Sequence, residues 1–90
     1  MAREILKIGD IKKISSGSYA IMGAYLGLDK NLDFKNLKGK SIIIENTKKK
    51  IRTEILDISV SYSLADQANL FLLIPSKEIQ FIKLGDMVSI

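Results

Sequence analysis

The feature that most constrains this chain is a succession of short strand-like runs in its second half, separated by turn-forming residues. A strand pattern covers Ile51 to Tyr62, an apolar run covers Leu70 to Ile74, and another run covers Ile79 to Leu84 before Gly85 and Asp86. Closely spaced Gly, Pro, Asn and Asp between such runs are typical of small barrels and sandwiches. We therefore predict an all-β fold, a small closed or nearly closed antiparallel β-barrel of about six strands.

Composition limits both the number of domains and the available chemistry. The 90 residues, 47% of them hydrophobic, suffice for one compact core but are too few for two, so we predict a single barrel domain over residues 1–90. The chain contains neither His nor Cys, which removes the commonest general base and the usual nitrogen and sulfur metal ligands. Its carboxylates are not clustered at metal-ligand spacing. We expect no enzymatic activity, no metal and no small-molecule cofactor.

The first residues argue against a targeting or spanning segment. Arg3, Glu4 and Lys7 are interspersed with the apolar residues there, so the stretch has neither the apolar region of a signal peptide nor the length of a membrane helix. We expect a cytoplasmic protein with no membrane partner.

Two segments carry apolar side chains on both faces of a predicted strand. From Tyr19 to Leu26 both alternate sets are apolar or small, and Leu70 to Ile74 has no polar member. Such a strand is central or is covered by a partner, because an exposed apolar edge would promote aggregation. The second alternative makes the following residues a candidate self-association interface: Leu70, Phe71, Leu72 and Leu73.

The apolar phase changes inside the longest strand pattern. Ile51 and Ile55 share one face, whereas Leu56 and the apolar residues after it share the other. A change of phase indicates either a β-bulge or a strand that passes from one side of a barrel to another. We predict a bulge near Ile55. The polar stretch from Asn46 to Lys49 is typical of a hairpin turn.

Several short motifs follow one another in a set order. They are a Gly-x-x-x-x-x-Gly stretch at Gly17 to Gly23, a Gly-Lys lead at Gly39 to Ile44, an isoleucine-ended strand at Thr53 to Ile58, an Ala-rich turn at Ala65 to Ala68, and Gly-Asp-x-Val at Gly85 to Val88. This order resembles the β-barrel second domain of translational GTPases such as elongation factor Tu. The GTPase domain of that family is missing here, so we expect a free-standing barrel. The resemblance implies contact with ribosomal or transfer RNA by analogy.

One position departs from that family. Its Ala-rich turn usually continues with Gly, whereas Asn69 follows Ala68 here. Because Asn tolerates left-handed backbone conformations, we expect the turn to be retained.

Positive charge is concentrated in one part of the chain, the basic segment from Lys30 to Arg52. It has eight basic residues against two acids, a net of +6, whereas the remainder has six against eight, a net of −2. A basic patch of this kind can hold RNA through phosphate contacts that weaken as salt rises. The candidate nucleic-acid-binding residues are Lys38, Lys40, Lys48, Lys49, Lys50 and Arg52. Only one aromatic residue, Phe34, lies inside the segment.

Two functions stay open at this level. A non-enzymatic barrel could contact RNA or a ribonucleoprotein through the Lys-rich hairpin, with backbone-directed rather than sequence-reading contacts. Alternatively, the barrel could self-associate or bind another protein without any nucleic-acid role, because Lys-rich hairpins also serve solubility and prevent edge pairing.

Overall fold

The protein folds into two antiparallel β-sheets. The computed structural model describes residues 3–27 and 34–90. Its strands and 3-10 helices are β1 (Glu4–Lys7), β2 (Asp10–Ser15), β3 (Ser18–Ala24), η1 (Phe34–Leu37), β4 (Ser41–Glu45), β5 (Lys50–Glu54), β6 (Asp57–Tyr62), β7 (Ala68–Pro75), η2 (Ser76–Phe81) and β8 (Met87–Ser89). The first sheet has the order β1-β8-β4-β5 and the second the order β2-β3-β7-β6. The all-β, antiparallel prediction is confirmed, and neither sheet closes on itself.

The strand count differs from the expected six. The pattern from Ile51 to Tyr62 forms two strands, β5 and β6, and Asp10–Ser15 forms a strand of its own. The run from Ile79 to Leu84 does not form a strand. Its first three residues are the last three residues of η2. Ile79 in η2 and Ile82 directly after it both pack on the core.

The sheets approach each other closely between β1 and β3. Leu6 and Tyr25 form an isolated antiparallel bridge, and the amide of Leu26 donates to the carbonyl of Ile5 at 2.8 Å. Gly23 permits this approach, because a Cβ there would lie 2.3 Å from the carbonyl oxygen of Lys7. We call this contact the seam.

The chain passes from the first sheet to the second at Ile55 and Leu56. The amide of Ile55 donates to the carbonyl of Lys40, just before β4 of the first sheet, at 2.9 Å. The amide of Leu56 donates to the carbonyl of Leu73, in β7 of the second sheet, at 2.7 Å. Ile55 is fully buried and Leu56 is exposed. The phase change therefore marks a passage between sheets, and the structure shows β5 ending and β6 beginning there in place of the predicted bulge.

The two strands with apolar side chains on both faces are central, as predicted. β3 and β7 are the inner strands of the second sheet. In β7 the burial alternates residue by residue, so one set faces the core between the sheets. The fully buried members of that set are Leu70, Leu72 and Ile74.

The turns are placed largely as the sequence predicts. A tight turn at Ser16 and Gly17 joins β2 to β3, and a hairpin turn follows β4. In the Ala-rich turn the left-handed residue is Asp66, with a φ of 60°, whereas Asn69 lies within β7. The polar stretch 29–40, whose composition predicts a loop before β4, contains η1, and its residues 29–33 lie outside the described residues.

Candidate nucleic-acid interface

The tip of the β4–β5 hairpin is organised by one amide side chain. Asn46 Oδ1 accepts hydrogen bonds from the amides of Lys48 at 2.8 Å and Lys49 at 3.0 Å. The Asn46 amide donates to the carbonyl of Lys49 at 2.9 Å. Asn is suited to this turn because its side chain can accept from the backbone two and three residues further on. Its bonds fix the backbone from which two lysine side chains project.

A buried carboxylate ties this tip to the turn before β8. Asp86 is 5% exposed. Its Oδ1 accepts from Asn46 Nδ2 at 3.1 Å, and its Oδ2 accepts from the amide of Lys83 at 3.0 Å. The two segments meet because β4 pairs with β8, which places Glu45 opposite Met87. Lys83 is thereby held next to the hairpin.

A shallow concavity lies between the hairpin tip and the end of η2, and we call it the tip site. Its volume is about 170 Å³. The lining residues are Asn46, Lys48, Lys49, Gln80, Phe81 and Lys83. Lys49 Nζ lies 4.5 Å from the ring centroid of Phe81, a distance at which the ring face attracts a cation. Three lysines and an aromatic residue line the tip site, and no acidic residue is among the described residues that line it.

Only part of the predicted basic patch reaches the tip site. Lys48 and Lys49 line it, whereas Lys50 Nζ lies 3.9 Å from Glu45 and Lys38 Nζ lies 3.8 Å from Asp57. Both pairs are solvent-exposed, so they contribute little to stability. They nevertheless reduce the net charge that these two lysines offer to a ligand.

The remaining predicted residues lie elsewhere. Arg52 lines a different concavity of about 240 Å³, together with Glu54 and Lys77. Lys40 is exposed just before β4. Lys30, at the start of the basic segment, lies outside the described residues. The described lysines and arginine of the segment therefore do not all line one concavity.

Sequence reasoning missed two contributors to the tip site, Lys83 and Phe81. Both lie far along the chain from the hairpin and are brought to it by the β4–β8 pairing and by the bonds to Asp86. The available signal was the Gly85-Asp86 turn, which predicts a sharp change of direction just after Lys83. Phe34, the aromatic residue of the basic segment, is 9% exposed. Its ring packs edge-on against the ring of Tyr25, with the ring centroids 5.0 Å apart, so Phe34 belongs to the core.

The predicted interface in β7 divides between two faces. Alternate residues of a strand point to opposite faces of the sheet. Leu70 and Leu72 point toward the core and are 0% exposed, so they cannot belong to a surface interface. Phe71 and Leu73 lie on the other face and are half-buried. They line an apolar concavity of about 260 Å³ that also includes Ile14 and Ile58. We call it the sheet concavity.

Comparisons with known proteins add no relative. No family model matches the chain, and no match is found among curated proteins or solved structures. Across residues 3–27 and 34–90, no helix has the length and apolar character needed to cross a membrane.

Proposed function

We propose that this protein is a non-enzymatic small β-barrel module that contacts RNA or a ribonucleoprotein through its Lys-rich hairpin. The observation that carries the proposal is the convergence of Lys48, Lys49 and Lys83 on one concavity. Lysines that line one concavity can contact neighbouring phosphates, and counterions are released when the polyanion binds. Contacts of this kind position a nucleic acid without reading its sequence.

The proposal includes the architecture. We infer that the two sheets act as one nearly closed barrel comparable to the second domain of elongation factor Tu. The seam between Leu6 and Tyr25 and the passage at Ile55 and Leu56 support closure on two sides. A cytoplasmic location belongs to the same proposal, since RNA and ribonucleoproteins are found there.

Charge reversal at the hairpin tests the RNA contact. The variant Lys48→Glu with Lys49→Glu should bind labelled single-stranded RNA at least about tenfold more weakly at low salt, because two phosphate contacts are replaced by repulsion. The matched control is Lys12→Glu with Lys13→Glu, which makes the same change of net charge at exposed positions on β2. Fluorescence anisotropy at several salt concentrations measures both affinity and salt dependence.

The two double variants separate a site from a general charge effect. A loss confined to the hairpin variant supports the proposal. Equal losses in both variants would show that only net charge matters, and the site assignment would be withdrawn. If the unaltered protein binds no RNA even at low salt, the RNA function itself is wrong.

A second candidate function is supported by the sheet concavity. Ile14 is 53% exposed at its rim, and Phe71 and Leu73 present apolar surface beside it. Contiguous exposed apolar surface marks interaction sites more often than isolated apolar residues do. We therefore retain self-association or protein binding through this face as the alternative, with no nucleic-acid role.

A further inference from the structure

We propose that the tip site binds single-stranded nucleic acid by stacking a base on Phe81 while neighbouring phosphates contact Lys48 and Lys83. This inference rests on the proposed RNA function and adds the strand state and the mode of contact. The Phe81 ring provides the apolar surface for the base, and the lysines lie on the same concavity. Base stacking on an aromatic ring tolerates any sequence, because every base has a π-face.

The position of Phe81 is unusual for a core-forming residue type. It is the last residue of η2, and it is 38% exposed, whereas its neighbour Ile82 is 6% exposed. Ile79 of η2 and Ile82 directly after it pack on the core, whereas the Phe81 ring lines the tip site. The ring face already attracts the Lys49 ammonium group. When a base stacks there, we expect that ammonium group to contact the adjoining phosphate.

The size of the site distinguishes between classes of nucleotide ligand. Pockets that enclose a small molecule usually measure roughly 300–1,000 Å³, and the tip site measures about 170 Å³. It can therefore hold one face of a ligand but cannot surround a free nucleotide. A base inside a duplex has both faces stacked on its neighbours, so it cannot stack on the ring without unpairing. A single strand satisfies both conditions.

The charges around the ring favour phosphate. Lys48, Lys49 and Lys83 line the site. The carboxylate of Asp86 is buried, and its two oxygens accept hydrogen bonds from Asn46 and Lys83. Asp86 therefore holds the lysine-bearing segments in position and does not face the ligand. Gln80 adds an amide that can donate to or accept from a base edge.

The experiment compares two single-stranded oligoribonucleotides of equal length, roughly 12 nucleotides. One carries adenine at every position, and the other is abasic, so that only the sugar-phosphate chain remains. Phe81→Leu should weaken binding of the adenine strand about tenfold, which corresponds to the loss of one stacked base. Its affinity for the abasic strand should be unchanged. Phe81→Tyr should bind both strands as the unaltered protein does, because it retains a ring.

Tyr62→Leu is the control for loss of an exposed aromatic ring, since Tyr62 is 65% exposed on β6 and lies outside the tip site. It should leave both affinities unchanged. A thermal melt of each variant shows whether the fold is retained, and the Tyr variant keeps the test decisive if Phe81→Leu is destabilised.

The outcomes separate this inference from the proposed function. If Phe81→Leu weakens the binding of both strands equally, or of neither strand, the stacking inference is wrong. Phosphate binding that depends on the hairpin can still be correct. If polyglutamate competes as well as the adenine strand does, the ligand is an acidic protein and the inference is overturned. If the unaltered protein binds neither strand at low salt, the inference and the proposed function fail together.

Discussion

At the residue scale, single side chains in this protein connect segments that are distant in the sequence. Asn46 joins two lysine amides to the carboxylate of Asp86, which itself holds Lys83. The sequence predicts the hairpin turn from Asn and its polar neighbours. It does not predict Lys83 as a partner, because that proximity depends on pairing between strands that are distant in sequence.

Gly23 provides the clearest test at this scale. Gly23→Ala should destabilise the protein by roughly 1–3 kcal/mol, the usual cost of overpacking a tight contact. The added Cβ would lie 2.3 Å from the carbonyl oxygen of Lys7, and backbone atoms must move to relieve that contact. Urea unfolding followed by circular dichroism measures the free energy of unfolding.

Gly17→Ala is the matched control. A Cβ at Gly17 meets nothing within 4 Å, and this glycine is not among those with a left-handed φ. Alanine there should leave stability unchanged or raise it slightly, since it reduces the conformational freedom of the unfolded chain. Equal effects of the two substitutions would contradict the close packing assigned to the seam.

At the element scale, β7 shows what an apolar run does and does not specify. The run predicts a central strand, and that is what β7 forms between β3 and β6. A run without polar residues cannot indicate which alternate set faces inward, because both sets look the same. Only the packing of the two sheets placed Leu70 and Leu72 in the core and Phe71 and Leu73 outside.

The two faces of β7 should respond differently to truncation. Leu72→Ala should cost about 2–5 kcal/mol, because it leaves a cavity in the core. Leu73→Ala should cost about 1 kcal/mol, since that side chain is already partly in water. Chemical unfolding of the two variants, adjacent in sequence and identical in chemistry, measures the difference.

The same pair also tests the alternative function. If the sheet concavity mediates self-association, Leu73→Ala should lower the mass that light scattering reports at high protein concentration. If the unsubstituted protein is a monomer at every concentration, self-association is removed from consideration.

The stability comparison has its own contradicting outcome. Similar destabilisation by both substitutions would mean that Leu73 is as deeply buried as Leu72.

At the scale of the whole molecule, the question is whether two open sheets behave as one barrel. The hydrogen bond from Leu26 to Ile5 crosses between segments of different sheets. Together with the chain passage at Ile55 and Leu56, this bond connects two sheets that share one hydrophobic core. Strong coupling would make the two sheets unfold as a unit.

Amide hydrogen exchange tests this coupling. If the sheets unfold as a unit, the amide of Leu26 should exchange about as slowly as that of Ile21 in the centre of β3, because the seam then opens only when the second sheet also unfolds. The amide of Ala65 is the fast control, since its bond to Ser63 Oγ is long, at 3.3 Å, and exposed. NMR-detected exchange resolves the three sites.

Fast exchange at Leu26 with protection at Ile21 would mean that the seam opens while the second sheet stays intact. The barrel would then be two loosely packed sheets. Gly23→Ala adds a check, because weakening a real seam should accelerate exchange at Leu26 more than at Ser59 in the outer strand β6.

The sequence by itself determined the features that depend on neighbouring residues. Strand-like runs and turn chemistry predicted the all-β class and the hairpin that presents Lys48 and Lys49. Apolar side chains on both strand faces predicted the central position of β3 and β7. Each of these follows from local backbone preference or from the apolar character of a short run.

Tertiary structure decided the features that depend on distant pairing. The phase change at Ile55 was compatible with a bulge or a passage, and only the positions of the two sheets distinguished them. The tip site likewise needed β4 to pair with β8, which moved Phe81 and Lys83 to the hairpin and left Lys38 and Arg52 elsewhere. Long-range register arises from the packing of the whole core, so no short stretch of sequence records it.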